Sequence, residues 1–172
     1  MESVADTIKA PIGRDSGGYE AITQAVKAML NQFPGLNPDD EVKFEALEGS
    51  GSIAFVNDAG ALVYTEKKTI TGMIHQECRY PFLLVYRFES SQERNKLVAQ
   101  QFLDVYGKWL CQEPTIYEHN QPPLEYPKLT GGRKITRVIR DNIYSQEPQK
   151  GGDQDWVLPV TIEYTNKFRK AR

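Results

Sequence analysis

Tyr80–Leu110 reads as a strand running straight into a helix, and no other stretch constrains the fold of this chain as tightly. Tyr80-Pro81-Phe82-Leu83-Leu84-Val85-Tyr86-Arg87-Phe88 is apolar on both alternating faces except at Arg87, the pattern of a central strand covered on two sides. Ser90 and Glu93 have the spacing of a capping box, which marks the start of a helix. Val98, Phe102, Val105 and Trp109 then recur at helical intervals. Ala99, Leu103, Tyr106 and Leu110 widen that face, and Arg94, Lys96, Gln100, Gln101, Asp104 and Lys108 mostly take the other. The expectation is a long amphipathic helix folded back over its own strand, with Phe102 and Trp109 beneath the sheet.

Elsewhere the periodicities are shorter. Met1–Gly18, broken by Pro11, Gly13, Gly17 and Gly18, reads as an arm with little regular structure. Ile22, Ala25, Val26, Met29 and Phe33 mark a first amphipathic helix, stopped by Pro34-Gly35. Val42, Phe44 and Ala46 alternate as a short strand, Ile53–Val56 is a second, and Asn57-Asp58-Ala59-Gly60 turns out of it. Leu62–Glu77 is rich in β-formers but charged at Glu66, Lys67 and Lys68, which suits a long, partly exposed strand or hairpin arm.

Cys111–Arg133 carries four prolines and no confident element, the mark of a binding or assembly loop. Ile135–Tyr144 reads as a strand and Glu147–Asp155 as a polar connection. Trp156, Leu158, Val160, Ile162 and Tyr164 alternate as a closing strand, which Pro159 assigns to an edge or a bulge. Lys167, Arg169, Lys170 and Arg172 end the chain as a basic tail. Adjacent strands without intervening helices predict an α+β fold: a mixed, largely antiparallel sheet with two amphipathic helices on one face, a β-arm and long loops. The expected division is an arm over 1–18, a single domain over 19–168 and a basic tail over 169–172.

Composition narrows the function. A chain of 172 residues, 40% hydrophobic, supports one core. A net charge of −2 gives no global reason to expect sequence-specific nucleic-acid binding. Cys78 and Cys111 fall short of a disulfide framework, and no apolar run approaches a membrane span. The polar, acidic Met1–Ala10 is unlike a secretory leader, so a soluble protein folded in a cytoplasm is expected.

Few residues point to chemistry. Gly49-Ser50-Gly51-Ser52-Ile53-Ala54 matches a loose dinucleotide spacing, but the strand-like residues after it deny the helix N-terminus such a site needs, so a flexible hairpin turn is expected. Thr130-Gly131-Gly132-Arg133-Lys134 lacks the phosphate-loop frame. His75 and His119 are the only histidines; three positions apart on one strand, His75 and Cys78 point to opposite faces, and Cys78 reads as a buried small hydrophobe. Asp39-Asp40-Glu41 and the Asp153/Asp155 pair lack calcium-loop spacing and read as solvated turn charges. Tyr80, Phe82, Tyr86, Tyr106, Trp109 and Trp156 are expected to pack in the core rather than stack on bases. No catalytic residue, metal ligand or cofactor site is assigned, and the chain is not expected to be an enzyme. The competing expectation is a soluble enzyme or ligand-binding domain with a site built from the 111–133 loop.

One succession of elements carries further. An N-terminal amphipathic helix precedes a β-arm ending in Gly72-Met73-Ile74-His75-Gln76-Glu77, then Tyr80-Pro81-Phe82-Leu83-Leu84-Val85-Tyr86-Arg87, the Asn95–Trp109 helix and a closing Asp155-Trp156-Val157-Leu158-Pro159-Val160-Thr161-Ile162-Glu163-Tyr164. Over roughly Ala21–Phe168 this order resembles the minor capsid or tail terminator proteins of tailed bacteriophages and phage-derived tail particles. The resemblance implies an α+β subunit that closes into a six-fold ring at the head-proximal end of the tail. There it would stop tube growth and dock to the head connector or stopper. The implied partners are other copies of itself, the tail tube protein and the connector, with DNA passing through the lumen. The implied location is the virion neck or tail, assembled in the host cytoplasm. The Met1–Gly18 arm and Cys111–Arg133 loop are longer than in compact members of that group.

Overall fold

A computed structural model describes residues 10–57, 59–117 and 122–170. Their elements are β1 (Gly13–Arg14), α1 (Gly18–Leu30), β2 (Val42–Phe44), β3 (Ile53–Val56), β4 (Leu62–Lys68), β5 (Met73–Glu89), α2 (Glu93–Leu110), β6 (Arg133–Arg140), β7 (Tyr144–Ser145) and β8 (Asp153–Arg169). The strands form one open, mixed sheet, and with the two helices they make the expected α+β fold.

The sheet is organised on two strands of 17 residues each. β5 and β8 pair antiparallel along their whole length, from Met73↔Arg169 to Glu89↔Asp153. At ~3.3 Å per residue this ladder is roughly 55 Å long. Shorter strands line its two sides. On the β5 side, β3 occupies one half (Ile53↔Tyr86 to Val56↔Leu83) and β4 the other (Leu62↔Arg79 to Lys68↔Ile74). On the β8 side, β6 and β7 divide the length likewise. β2 pairs parallel to β3, and β1 pairs antiparallel to the start of β4.

Both helices cover the face formed by the even-numbered residues of β5 and β8. Cys78, Tyr80, Phe82 and Leu84 meet Trp156, Leu158, Val160, Ile162 and Tyr164 there, all buried. Ile22, Val26, Met29 and Leu30 of α1 and Ala99, Leu103, Tyr106 and Leu110 of α2 close over them in a single apolar cluster. Two polar bonds fix the helices in place. Thr23 Oγ1 lies 2.7 Å from the Tyr80 hydroxyl, and the Tyr106 hydroxyl donates to the Leu30 carbonyl at the end of α1. Gly107 is where α2 comes nearest the sheet; a β-carbon there would lie 2.8 Å from Arg140 and 3.1 Å from Leu158.

Several expectations are corrected. The central strand is helix-covered on one face only: opposite lie Arg79, Pro81, Leu83 and Arg87, half-buried, and Val85, buried beside Val157. The capping box does not form. Gln92 takes the N-cap position of α2 with no side-chain cap bond, while the Ser90 hydroxyl donates to the Phe88 carbonyl and accepts from Trp156 Nε1–H. The buried stripe of α2 is the flanking set: Leu103 and Tyr106 are inaccessible, Phe102 is half-buried and Val98 is 45% exposed. Trp109 is buried as expected. α1 ends at Leu30, so Phe33 packs from the following turn, its ring 4.0 Å from that of Tyr106.

The chain ends also differ from expectation. Residues 13–14 form β1, and Asp15 after them is buried. Lys167–Arg169 belong to β8, paired with His75–Met73, rather than to a tail. β8 begins at Asp153, inside the expected connection, and the expected Ile135–Tyr144 strand is divided into β6 and β7. Pro159 lies on an interior strand, paired with Leu83 on one side.

Candidate assembly surfaces

Beyond the helix-covered body, β4, β5 and β8 continue as a three-stranded arm. Its rows are fixed by register. Lys67, His75 and Lys167 stand side by side on one face, and Lys68, Ile74 and Phe168 on the other. Thr69–Gly72 turns the hairpin, with Thr69 N–H donating to the Met73 carbonyl at 2.8 Å and Gly72 at a φ of +86°. Ile70 at the tip is fully exposed. Cross-strand polar bonds stiffen the arm: Thr65 Oγ1 to Glu77 at 3.1 Å, and Gln76 Nε2 to Glu66 at 2.8 Å. β1 covers only Leu62 and Val63, so among the described residues the outer edge of Thr65–Lys68 has no strand beside it.

The face away from the helices carries paired charges on either side of an apolar middle, where Leu83 meets Pro159 and Val85 meets Val157. Arg87 grips Asp155 with two bonds of 2.7 and 3.0 Å and donates a third to the Glu48 carbonyl at 3.0 Å. Arg137 makes two bonds to Glu163, at 3.2 and 3.0 Å, and Arg79 lies 4.6 Å above the Tyr64 ring. Tyr64 and Thr136 are the extra residues of two register shifts, one in β4 and one in β6. They border a shallow depression together with Thr65, Glu77, Arg79 and Glu163.

At the end of the sheet opposite the arm lies a groove of about 580 Å³. Tyr86 and Phe88, their rings stacked at 5.4 Å, contribute to its lining along with Ile53 and the 49–52 loop. Asp39, Asp40, Glu41, Lys43 and Glu48 also line it. Lys43 bonds Glu48 at 2.8 Å, and Lys27 approaches Glu41 at 3.6 Å. Asp39 and Asp40 have no cationic partner among the described residues; Asp40 accepts only from Asn37 Nδ2, at 3.0 Å.

The residues weighed for chemistry are scattered. His75 sits on the arm, whereas Cys78 is buried on the helix face, its thiol pushed up to about 11 by burial. His119 lies outside the described residues. Asp155 is held by Arg87, and Asp153 pairs across the sheet with Glu89. No helix follows Gly49–Ala54; the stretch leads into β3, which runs parallel to β2, so the expected hairpin turn is a crossover loop. Tyr80, Phe82, Tyr106 and Trp156 are core residues. Gln112, Tyr117, Pro122 and Leu124 of the described part of the 111–133 loop, with Trp109 of α2, enclose only about 90 Å³. That is well below the few hundred Å³ usual for a ligand site. No group of three or more metal-ligating side chains occurs among the described residues.

One cluster escapes sequence reasoning altogether. Asp15 accepts two bonds from Arg133, at 2.7 and 2.8 Å, and a third from the Tyr164 hydroxyl at 2.7 Å. Burial raises the Asp15 carboxyl, but the bonds from Arg133 and Tyr164 and the guanidinium charge outweigh it, and the net displacement is downward. The cluster ties the segment before α1 to the start of β6 and the middle of β8. No local signal links residues so far apart in sequence.

Comparison with protein-family models and with curated proteins finds no match for this chain. No helix among the described residues is long and apolar enough to cross a membrane.

Proposed function

We propose that this chain is a structural ring subunit of a tailed-phage or phage-derived tail, a tail terminator that ends tube growth and docks to the head connector. The observation that carries a subunit role is the arm. It projects three exposed lysines, an exposed isoleucine and a strand edge that has no neighbour among the described residues beyond the helix-covered body. A closed ring needs heterologous contacts, in which one surface of a subunit meets a different surface of the next. The arm and the sheet ends supply such unlike surfaces, and strand addition at an exposed edge satisfies backbone groups across a joint. The resemblance in element order points to the neck of a tail among the places where rings occur. In this setting the partners are neighbouring copies, the tube protein and the connector, and the location is the virion.

The test is the mass and shape of the purified protein. Sedimentation or native mass spectrometry should give a closed multimer, with six copies the expected number, and negative-stain images should show rings. Added to polymerising tail tubes, the protein should limit their length. A monomer at all concentrations, with no effect on tube length, overturns this function.

A further inference from the structure

We infer that the hairpin tip of one copy seats in the groove beside Tyr86 and Phe88 at the opposite end of the next copy's sheet. This deepens the ring reading above and rests on it: it names the two surfaces that meet. Three observations converge. First, the ends differ in charge. Lys67, Lys68, Lys167 and Arg169 crowd the arm, and none has an acidic partner among the described residues, whereas Asp39 and Asp40 stand uncompensated at the groove. Lys67 and Lys167 flank His75 in one cross-strand row, so both ammonium groups rise from the same face of the arm.

Second, the apolar parts correspond. Ile70 is fully exposed at the tip, and the groove offers Tyr86 and Phe88. The Tyr86 ring continues onto Phe102, at 4.5 Å, and one turn earlier on that side of α2 Val98 is 45% exposed. The groove's volume of about 580 Å³ suits a few side chains at a hairpin tip rather than a whole folded element.

Third, the contact cannot form within one chain. Met73 and Tyr86 lie on the same strand, 13 positions apart, so the tip and the groove are held roughly 43 Å from each other. A second copy is therefore the occupant, and the contact is head-to-tail, as a ring requires.

Charge exchange tests the inference on the full chain. Lys67→Glu with Lys68→Glu reverses the arm; Asp39→Lys with Asp40→Lys reverses the groove. All four sites are exposed, so each variant should melt like the parent as a monomer. Either reversal alone should raise the concentration needed for half-assembly roughly tenfold or more, because like charges now face each other. Combining both reversals in one chain, or mixing the two variants, should restore assembly, and Ile70→Asp should weaken it. Assembly of the parent should fall as salt rises. If the parent forms rings that both reversals leave intact, this contact is wrong and the ring reading stands. Loss by single reversal without rescue by the combined one also overturns the pairing. If the parent never assembles, both readings fall.

Discussion

Asp15 and Arg133 meet through two hydrogen bonds of 2.7 and 2.8 Å, although 118 positions separate them in the chain. Their side chains are only 5% and 15% exposed, so the pair clamps the chain's first described segment onto the start of β6 in a dry setting. Removing one partner leaves the other charged and buried. Asp15→Ala or Arg133→Ala should each cost about 3–5 kcal/mol, and the double variant should cost less than the sum of the two. Denaturant titration of the three variants checks the coupling.

The same pair sets an acid limit. Because the carboxyl of folded Asp15 lies below its ordinary value, its contribution is fully present above about pH 4 and is lost as pH falls through the folded value. Stability should therefore drop on acidification below that point. Asp15→Asn should be less stable at neutral pH and show a smaller acid-induced change. A pH series of melting temperatures that runs parallel for the two proteins contradicts this.

The face of α2 that matters is the flanking one. Leu103 is inaccessible to solvent and Val98 is not. Leu103→Ala should cost about 2–5 kcal/mol, whereas Val98→Ala should stay within about 0.5 kcal/mol in the monomer. Phe102→Ala, half-buried against Phe33 and Tyr86, should fall between them. Chemical denaturation of each variant ranks the three.

The two helices and the closing strand are legible because period reports them, and the arm because its β-formers are interrupted by charge at Glu66, Lys67 and Lys68. Register and side are not, as the prolines show. Pro159 reads as an edge or a bulge, yet β8 has neighbours on both sides and its pairing with β5 is unbroken there. The Pro159 carbonyl accepts from Asp141 N–H at 3.0 Å, on the side where β6 has ended at Arg140 and β7 has not yet begun. On an antiparallel strand the missing N–H points the same way, into that gap. Pro81 does the same across β5, between the end of β3 and the start of β4, its carbonyl accepting from Asn57 Nδ2 at 2.6 Å. Proline marks a missing neighbour at one residue, and sequence cannot tell that from an edge. The groove is equally hidden, because its acidic turn and its aromatic side chains come from separate stretches that only the β3–β5 pairing brings together. The Asp39-Asp40 turn charges, Tyr86 and Phe88 are each visible in the sequence, but nothing there joins them into one surface.

Gly132 supports the base of the arm. A β-carbon there would lie 1.8 Å from the Lys167 carbonyl oxygen, and Lys167 N–H donates to the Gly132 carbonyl at 3.0 Å. Gly132→Ala must push β6 away from β8 and weaken that bond. A cost of about 1–3 kcal/mol is expected. A thermal melt of Gly132→Ala against the parent checks it.

Cys78 offers a probe of global opening. Its thiol is buried and held in the protonated form at neutral pH, whereas Cys111 is half-exposed. Iodoacetamide at pH 8 should label Cys111 far faster than Cys78. Labelling of Cys78 should accelerate with denaturant in step with unfolding. Rapid native-state labelling at Cys78, read by mass spectrometry, would show that this part of the sheet opens locally.

The end of the chain separates a strand from a tail most directly. Lys167, Phe168 and Arg169 pair with His75, Ile74 and Met73, so they form one side of the arm. Truncation after Asn166 should expose the β5 backbone there and release the contact between Phe168 and its row, leaving a two-stranded hairpin, which is marginal in water. Amide exchange at Met73–Gln76 should speed up at least roughly tenfold while the buried Leu84 and Leu158 stay protected. A solvated tail predicts a different result: truncation would leave exchange in the arm unchanged and alter only salt-sensitive docking. Replacing Lys167 and Arg169 by glutamine, which keeps the strand and removes the charge, divides the two effects. Exchange should then match the parent while assembly weakens at low salt.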